Sequence, residues 1–160
     1  MKKLQVFVLA AVLSGAAVPA FAGDKPVNLS LFTPISIAKE SDSVSAFRFN
    51  LIYGKNTSVQ VLDLGLVNHT TSGLSKGLEW GFVNYGEADF KGVQLGAGNI
   101  QNGSFNGFQW GFVNSTGNMD GFQLAFINIA QKMHGLQIGL VNIIKEGGQF
   151  PVFPIVNWSF

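Results

Sequence analysis

Two histidines are the side chains of this sequence best suited to catalysis or metal binding. His69 and His134 are 65 positions apart, in or beside segments rich in turn-forming residues, and neither has another histidine or a carboxylate at ligand spacing. We therefore expect both to be exposed loop residues. His69 with Ser72 and Asp63 has the residue types of a Ser-His-Asp triad, which would suit an envelope lipid-modifying enzyme with its site at the rim of a β-barrel. Nothing in their spacing fixes such a geometry, so this enzyme is only a remote alternative.

The remaining candidates for chemistry are few. Glu79 replaces a repeated Gln on a strand face that would point inward, where an ionised carboxylate needs a partner such as Lys76 or Lys91. The run Gly96-Ala97-Gly98 lacks the following helix and Lys of a phosphate-binding loop. Cysteine is absent, which excludes disulfides and a thiol nucleophile. The sequence predicts no catalytic, cofactor-binding or metal site, and hence a non-enzymatic protein.

An octapeptide of the form Gly-apolar-Gln-apolar-Gly-apolar-apolar-Asn dominates the chain. The clearest copies are residues 107–114 and 135–142, and weaker copies are residues 47–54, 61–68, 77–84, 92–99, 121–128 and 150–157. The closing Asn residues, from Asn68 to Asn157, are 16, 15, 15, 14, 14 and 15 positions apart. A period of this kind is typical of repeat architectures. The changes in period fall between octapeptides, so we expect them in turns.

Side chains alternate within each octapeptide as they do in a β-strand, where residues two apart share a face. In residues 107–114 one predicted face carries Phe108, Trp110, Phe112 and Asn114, and the other carries Gly107, Gln109, Gly111 and Val113. Helix is unfavourable, because each of the two glycines costs about 1 kcal/mol relative to Ala in a helix interior. The pattern predicts an all-β fold of about eight to nine repeated strands, with one bulky apolar face and one small polar face.

Two architectures fit this pattern. In an up-and-down antiparallel meander that closes into a small membrane β-barrel, the apolar face would meet lipid. In a parallel β-solenoid or an open repeat sheet, the apolar face would point inward, and Asn and Gln would stack into ladders. We expect the barrel, because segments such as residues 115–120 carry little apolar material to cover Trp110 inside a coil. The ending Asn157-Trp158-Ser159-Phe160 also partly resembles the C-terminal sorting signal of outer-membrane barrels.

Three prolines argue against closure of a barrel. Pro34 interrupts the apolar residues 27–38, and Pro151 and Pro154 interrupt the last octapeptide, whereas prolines in strands belong at sheet edges. If residues 27–38 form a further strand, the number becomes nine, and an odd number is unusual in a bacterial barrel.

The chain begins with features of an export signal. Lys2 and Lys3 precede an apolar stretch at residues 4–13 and a small-residue cleavage site, Ala20-Phe21-Ala22. We predict a signal peptide at 1–22, an N-terminal segment with a possible edge strand at 23–45, and a β-repeat domain of about eight units at 46–160. Without the two lysines, eight basic residues face nine acidic ones, so nucleic acid is not an expected partner. Only 12% of residues are charged, against about 25% in typical soluble domains, which favours a membrane-embedded or self-associated β protein.

The octapeptides, the segment Phe49-Asn50-Leu51-Ile52-Tyr53-Gly54-Lys55-Asn56 and the ending Phe153-Pro154-Ile155-Val156-Asn157 resemble a family of bacterial surface repeat-containing proteins built from Gly-Leu-Gln-x-Gly-Leu-Val-Asn units. The resemblance covers roughly residues 26–160. It implies an exported, envelope-associated protein without an assigned activity, and it identifies no functional residues.

These observations predict a non-enzymatic cell-envelope protein of a Gram-negative-type bacterium, at the outer membrane or cell surface. As an outer-membrane barrel it would have a structural or adhesive role and contact outer-membrane lipid. The alternative is a secreted or surface-attached β-repeat protein that binds a protein or a polysaccharide through its aromatic face. Oligomeric state does not follow from the sequence.

Overall fold

A computed structural model describes residues 24–160, so the predicted signal peptide at residues 1–22 lies outside the described part of the chain. These residues form ten strands: β1 (Asp24–Phe32), β2 (Ile35–Ser36), β3 (Ser43–Asn56), β4 (Gln60–Thr70), β5 (Leu74–Gly86), β6 (Asp89–Leu95), β7 (Gly98–Trp110), β8 (Val113–Leu124), β9 (Ile127–Glu146) and β10 (Val152–Ser159). The predicted all-β class is confirmed. Between residues 24 and 160, no helix is long and apolar enough to span a bilayer.

The strands wind into a β-solenoid of about eight turns. From β1 and β3 through to β8 and β9, each strand pairs in parallel with a strand of the next coil. The predicted antiparallel meander closing into a barrel is therefore wrong, and the parallel alternative is correct. The pairing aligns equivalent repeat positions, so Gly107 lies beside Gly121, and Gly121 beside Gly135. Identical side chains thus stack along the solenoid axis, which an antiparallel meander would not allow.

One interior column consists of Asn50 and the Asn residues that close the following octapeptides. From Asn50 to Asn128, each Nδ2 donates a hydrogen bond to Oδ1 of the Asn in the next coil, over 2.7 to 3.1 Å, and Asn142 is the last acceptor. The second Nδ2 hydrogen also reaches a backbone carbonyl, as in the bond from Asn99 to Trp110 O at 2.9 Å. Buried amides are costly unless paired, and this ladder pairs them.

A second interior column contains the repeated Gln residues. Gln137, Gln123 and Gln109 each donate from Nε2 to Oε1 of the Gln in the preceding coil, over 2.7 to 2.8 Å. Gln94 donates at 2.6 Å to Glu79, which occupies the same column. All of these side chains are buried. The polar strand face therefore fills the inside of the coil.

An apolar strip completes the interior beside the two ladders. It consists of Phe90, Phe105, Met119, Ala130, Met133 and Ile144. The rings of Phe90 and Phe105 stack with their centroids 5.2 Å apart and almost parallel. These residues lie outside the octapeptides, mostly two positions before a first glycine, so the linking segments supply the hydrophobic core.

The first glycine of five octapeptides has a backbone conformation that favours glycine. Gly107 has a φ of +142°, a value that side-chain-bearing residues rarely adopt. A Cβ at this position would collide with the carbonyl oxygen of Gly92 in the preceding coil. Val61 occupies the equivalent place beside Gly77 and has a φ of +78°, which is unfavourable for a β-branched residue.

An antiparallel strand lies at each end of the solenoid, and the short β2 covers only the last residues of β1. β2 pairs with β1 immediately after Pro34, and β10 pairs with β9. Pro154 lies in β10, a terminal strand, as expected for a proline in a sheet. Residues 150–157 are therefore not a further parallel coil but a cap. Such caps prevent exposed sheet ends from pairing with other chains.

Candidate binding surface

The bulky side chains of the octapeptides form three parallel columns on the outside of the solenoid. We call this surface, between the two end caps, the apolar face. Its first column is Leu62, Leu78, Val93, Phe108, Phe122 and Leu136, and its central column is Leu64, Trp80, Leu95, Trp110, Leu124 and Ile138. Its third column is Leu66, Phe82, Ala97, Phe112, Phe126 and Leu140. Every one of these positions is apolar. The strand register builds the face, because each coil adds one residue to each column.

The apolar face is exposed to solvent. Trp80, Phe82, Trp110 and Phe112 retain 62, 63, 55 and 60% of their accessible surface. The expectation that this face would point inward in a solenoid is therefore wrong. The reason is that the amide ladders already fill that side of the interior, and their hydrogen bonds make the polar filling stable. The linking segments indeed do not cover Trp110, as argued from the sequence. The result, however, is a solenoid with Trp110 exposed and not a barrel.

A bend in the central coils, at residues 96–97, 111–112 and 125–126, explains why the predicted faces are only partly right. Strand alternation holds from Gly107 to Trp110, with Phe108 and Trp110 outward and Gln109 inward. The chain then bends at residues 111–112, so Val113 points outward and Asn114 inward, opposite to the prediction. This bend brings the side chains of Gln109 and Asn114 into the same interior.

The apolar face contains a groove of about 1000 Å³. It extends along the columns from Leu51 to Phe126, and the coil with Leu95 lies at its middle, between Trp80 and Trp110. Ala97 replaces a large side chain of the repeat, which lowers this coil relative to its neighbours. In the sequence, Ala97 was only a departure from the octapeptide pattern and did not indicate a groove.

Aromatic rings on the apolar face are ordered by the repeat. The centroids of Phe108 and Phe122 are 5.5 Å apart, and those of Phe112 and Phe126 are 5.3 Å apart, with nearly parallel rings in both pairs. Such a rigid aromatic surface loses little conformational entropy when it binds a partner.

Charged side chains are buried at one end of the Gln column. Arg48 binds Asp63 with two hydrogen bonds of 2.8 and 2.6 Å, and Asp63 neighbours Glu79 in the adjacent coil. Burial raises the pKa of Asp63, and the guanidinium of Arg48 opposes that shift. Burial, followed by the charge of Asp63, raises the pKa of Glu79 to about 8. The contact of Arg48 with Asp63 is a buried ion pair, and the raised pKa of Glu79 favours its protonated form at neutral pH.

Glu79 points inward, as expected, but neither proposed lysine is its partner. Gln94 binds its Oε2, whereas Oε1 has no hydrogen-bond partner. Lys76 and Lys91 lie on the exterior. An ionised Glu79 would thus leave a charged oxygen unpaired in the interior, consistent with its raised pKa.

The histidines do not form the triad considered from the sequence. His69 lies in β4, where Nδ1 is 2.8 Å from the Tyr53 hydroxyl and Nε2 is 2.7 Å from Glu87. Its side chain is only 12% exposed, so the expected exposed loop position is wrong for His69. Asp63 is instead inside the coil with Arg48, and Ser72 is not among the partners of His69.

His134 is exposed, in β9, with Nδ1 3.2 Å from Asp120. Within residues 24–160, no group of three or more His, Cys, Asp or Glu residues is arranged to hold a metal ion. His69 does not line the groove on the apolar face, nor a second groove of about 540 Å³ that includes Lys91, Asp120 and His134.

Comparisons of the chain with protein-family models, with curated proteins and with solved structures gave no match. The resemblance to bacterial surface repeat proteins therefore remains an expectation based on the octapeptides alone. The coarse architecture, a β-repeat solenoid, rests on the strand pairing.

Proposed function

We propose that this chain is an exported, non-enzymatic protein of the bacterial surface that works by binding another protein through its apolar face. The observation that supports the proposal is the exposed apolar face, in which 18 positions in three columns are all apolar and tryptophans protrude. Contiguous exposed apolar surfaces of more than a few hundred Å² are uncommon on monomers and typically mark interaction sites.

A protein fits the apolar face better than a polysaccharide does. Aromatic rings such as Trp80 and Trp110 could stack on sugar rings, but sugar hydroxyls also require hydrogen-bond partners. None of the three columns contains a polar side chain, and the backbone between them is engaged in strand pairing. Apolar and aromatic side chains of a protein partner would leave no polar group unpaired.

Export and surface location are part of the same proposal. They are supported by the signal-like residues 1–22 and by the low content of charged residues, 12%. A binding role is also favoured over an enzymatic one, because the hydrogen-bonded Tyr53, His69 and Glu87 do not line the groove on the apolar face or the groove that includes His134.

Site-specific photocrosslinking in the expressing cell tests this proposal. A photoreactive amino acid replaces Phe112 on the apolar face, and a control chain carries it at Asn118, which is exposed on a different side of the coil. We expect protein adducts from position 112 and none from position 118. Adducts with lipid or polysaccharide alone, no adduct at position 112, or equal adducts at both positions would contradict the proposal. Cell fractionation of the same cultures tests the surface location.

A further inference from the structure

We propose that the apolar face binds the same face of a second copy of this chain, with the two solenoid axes antiparallel. The inference rests on the proposed function, since it identifies the protein partner as the chain itself. Its support comes from the area of the face, the order of large and small side chains along each column, and the charges at one margin.

The apolar face has the area that a stable dimer needs. Each column of the apolar face has six residues, so six coils at about 4.8 Å per coil and a strand length of about 20 Å give about 580 Å² per copy. Two copies would bury about 1,150 Å², which exceeds the roughly 1,000 Å² that a specific protein–protein interface needs. Interfaces between identical chains are also more apolar than other interfaces, as this face is.

Large and small side chains alternate along the central column. Its order from β4 to β8 is Leu64, Trp80, Leu95, Trp110 and Leu124. The two tryptophans are two coils apart, or about 9.6 Å. This separation accommodates one further aromatic ring between them, above Leu95. Alternating sizes on facing surfaces allow side chains to interdigitate.

A two-fold axis along the strand direction, between the coils of Leu95 and Trp110, makes the face complementary to itself. It places Trp110 of each copy above Leu95 of the other, and Trp80 above Leu124. Because the interface is isologous, each contact occurs twice. The tryptophans of the two copies then alternate along a common stack at intervals of about 4.8 Å.

Next to the axis, the two flanking columns show the same pairing of large with small side chains. The axis sets Phe108 opposite Val93 of the second copy, and Phe112 opposite Ala97, whereas one coil farther out Phe82 lies opposite Phe126. The small residues of the groove thus lie where large aromatic residues of the second copy would enter. An axis through the coil of Leu95 would instead oppose Trp80 to Trp110, two large side chains.

The charges beside the face are complementary about this axis. Beside the column of the apolar face that contains Phe108 lies a column of exposed polar residues. It consists of Lys76, Lys91, Asn106, Asp120 and His134. The two-fold axis relates Lys76 to Asp120 of the second copy, and Asp120 to Lys76. Opposite charges at the rim of an interface favour one register over others.

Exchange of one large and one small residue tests the pairing. The full exported chain is compared with Leu95→Trp, with Trp110→Leu and with the double variant by sedimentation equilibrium over a concentration series. Leu95→Trp opposes two tryptophans, and Trp110→Leu leaves a gap above Leu95. If each of the two symmetric contacts loses about tenfold in affinity, the dimer of either single variant is about 100-fold weaker than that of the parent chain. The double variant again opposes a Trp to a Leu, so its dimer recovers.

The double variant also controls for folding, because it combines both changes. A monomeric parent chain at all concentrations overturns the inference, as does a dimer unaffected by either single change or not rescued by the double change. So does a parent monomer that floats with vesicles of phosphatidylethanolamine and phosphatidylglycerol. In the photocrosslinking experiment, an adduct of twice the chain mass at position 112 supports the inference. A protein adduct of any other mass overturns it while the proposed function stands.

Discussion

The buried carboxyl group of Glu79 makes stability depend on pH in the direction opposite to most carboxylates. Burial is the largest cause of its raised pKa, about 8 in the folded chain against 4.5 in the unfolded chain. Between these values the folded protein holds a proton that the unfolded chain releases. The contribution of this proton to stability is fully present below about pH 4.5 and is lost as the pH rises toward about 8.

The size of the effect follows from this difference in pKa. A group protonated only in the folded state changes the free energy of unfolding by about 1.4 kcal/mol per pH unit. From about pH 5 to about pH 7.5 this amounts to a loss of about 3 kcal/mol. Glu79→Gln removes the titrating group and places in the column the amide that Gln94, Gln109 and Gln123 already carry. The variant is therefore expected to match the parent near pH 5 and to exceed it by about 3 kcal/mol near pH 7.5.

Urea unfolding of both proteins at a series of pH values measures this difference. Glu40→Gln serves as the control, because the Glu40 carboxylate is about half exposed and pairs with Lys55 at the surface. We expect the gap between Glu79→Gln and the parent to widen with pH, and the control to follow the parent. A gap that is constant with pH, or one that narrows as pH rises, would refute the assignment of a buried protonated Glu79.

Three further substitutions test the interior and the backbone of the coil by urea unfolding. Gly107→Ala is expected to lose about 3 kcal/mol or more, because its φ is +142° and a Cβ would collide with the preceding coil. Gly98→Ala, with open space around its Cβ, is expected to change stability by about 1 kcal/mol or less. Equal effects would contradict the close backbone approach at Gly107. Asn114→Ala breaks the Asn ladder on both sides and is expected to lower the free energy of unfolding by about 2 to 4 kcal/mol. Its control, Asn106→Ala at an exposed position, is expected to lower it by less than about 0.5 kcal/mol. An equal loss in both variants would be inconsistent with buried amide pairing. Val61→Gly relieves a positive φ of 78° on an exposed residue and is expected to stabilise by about 1 kcal/mol, and destabilisation would show that Val61 is not strained.

The repeat pattern was sufficient to predict the strands and their period but not the turns. Residues 101–103 and 115–120, expected as turns, lie within β7 and β8, whereas bends occur inside octapeptides, at residues 96–97 and 111–112. Alternation of large and small side chains identified Phe108 and Trp110 as one face and Gln109 as the other, and the prolines indicated sheet ends. These properties depend on neighbours along the chain, so they can be read from local sequence.

Strand direction and the identity of the interior were not predictable from the same pattern. Parallel and antiparallel strands share a two-residue alternation, so residues 107–114 fit either pairing. Bulky apolar residues normally lie inside, and only the stacking of identical amides makes an interior of Asn and Gln stable. That stacking requires every coil to be in register with the next. The regular recurrence of Gln109 and Asn114 equivalents at the same positions was the available signal.

The buried cluster was equally inaccessible to local reasoning. Arg48 lies 15 positions before Asp63, and Glu79 lies 16 positions after it. Only the solenoid register brings the three side chains together in consecutive coils. Equivalent positions in successive repeats would have shown their proximity, once parallel stacking was assumed.

Parallel, in-register stacking of consecutive coils can be measured by electron paramagnetic resonance, since the chain has no cysteine to interfere with labelling. Spin labels are attached to two double-cysteine variants. In one variant, cysteines replace both Asn106 and Asp120; in the other, they replace both Val113 and Ile127. Both pairs face each other in adjacent coils, so we expect strong dipolar broadening in both. An antiparallel hairpin of this segment can bring at most one of the two pairs together. Broadening in one pair only, or in neither, would contradict the solenoid.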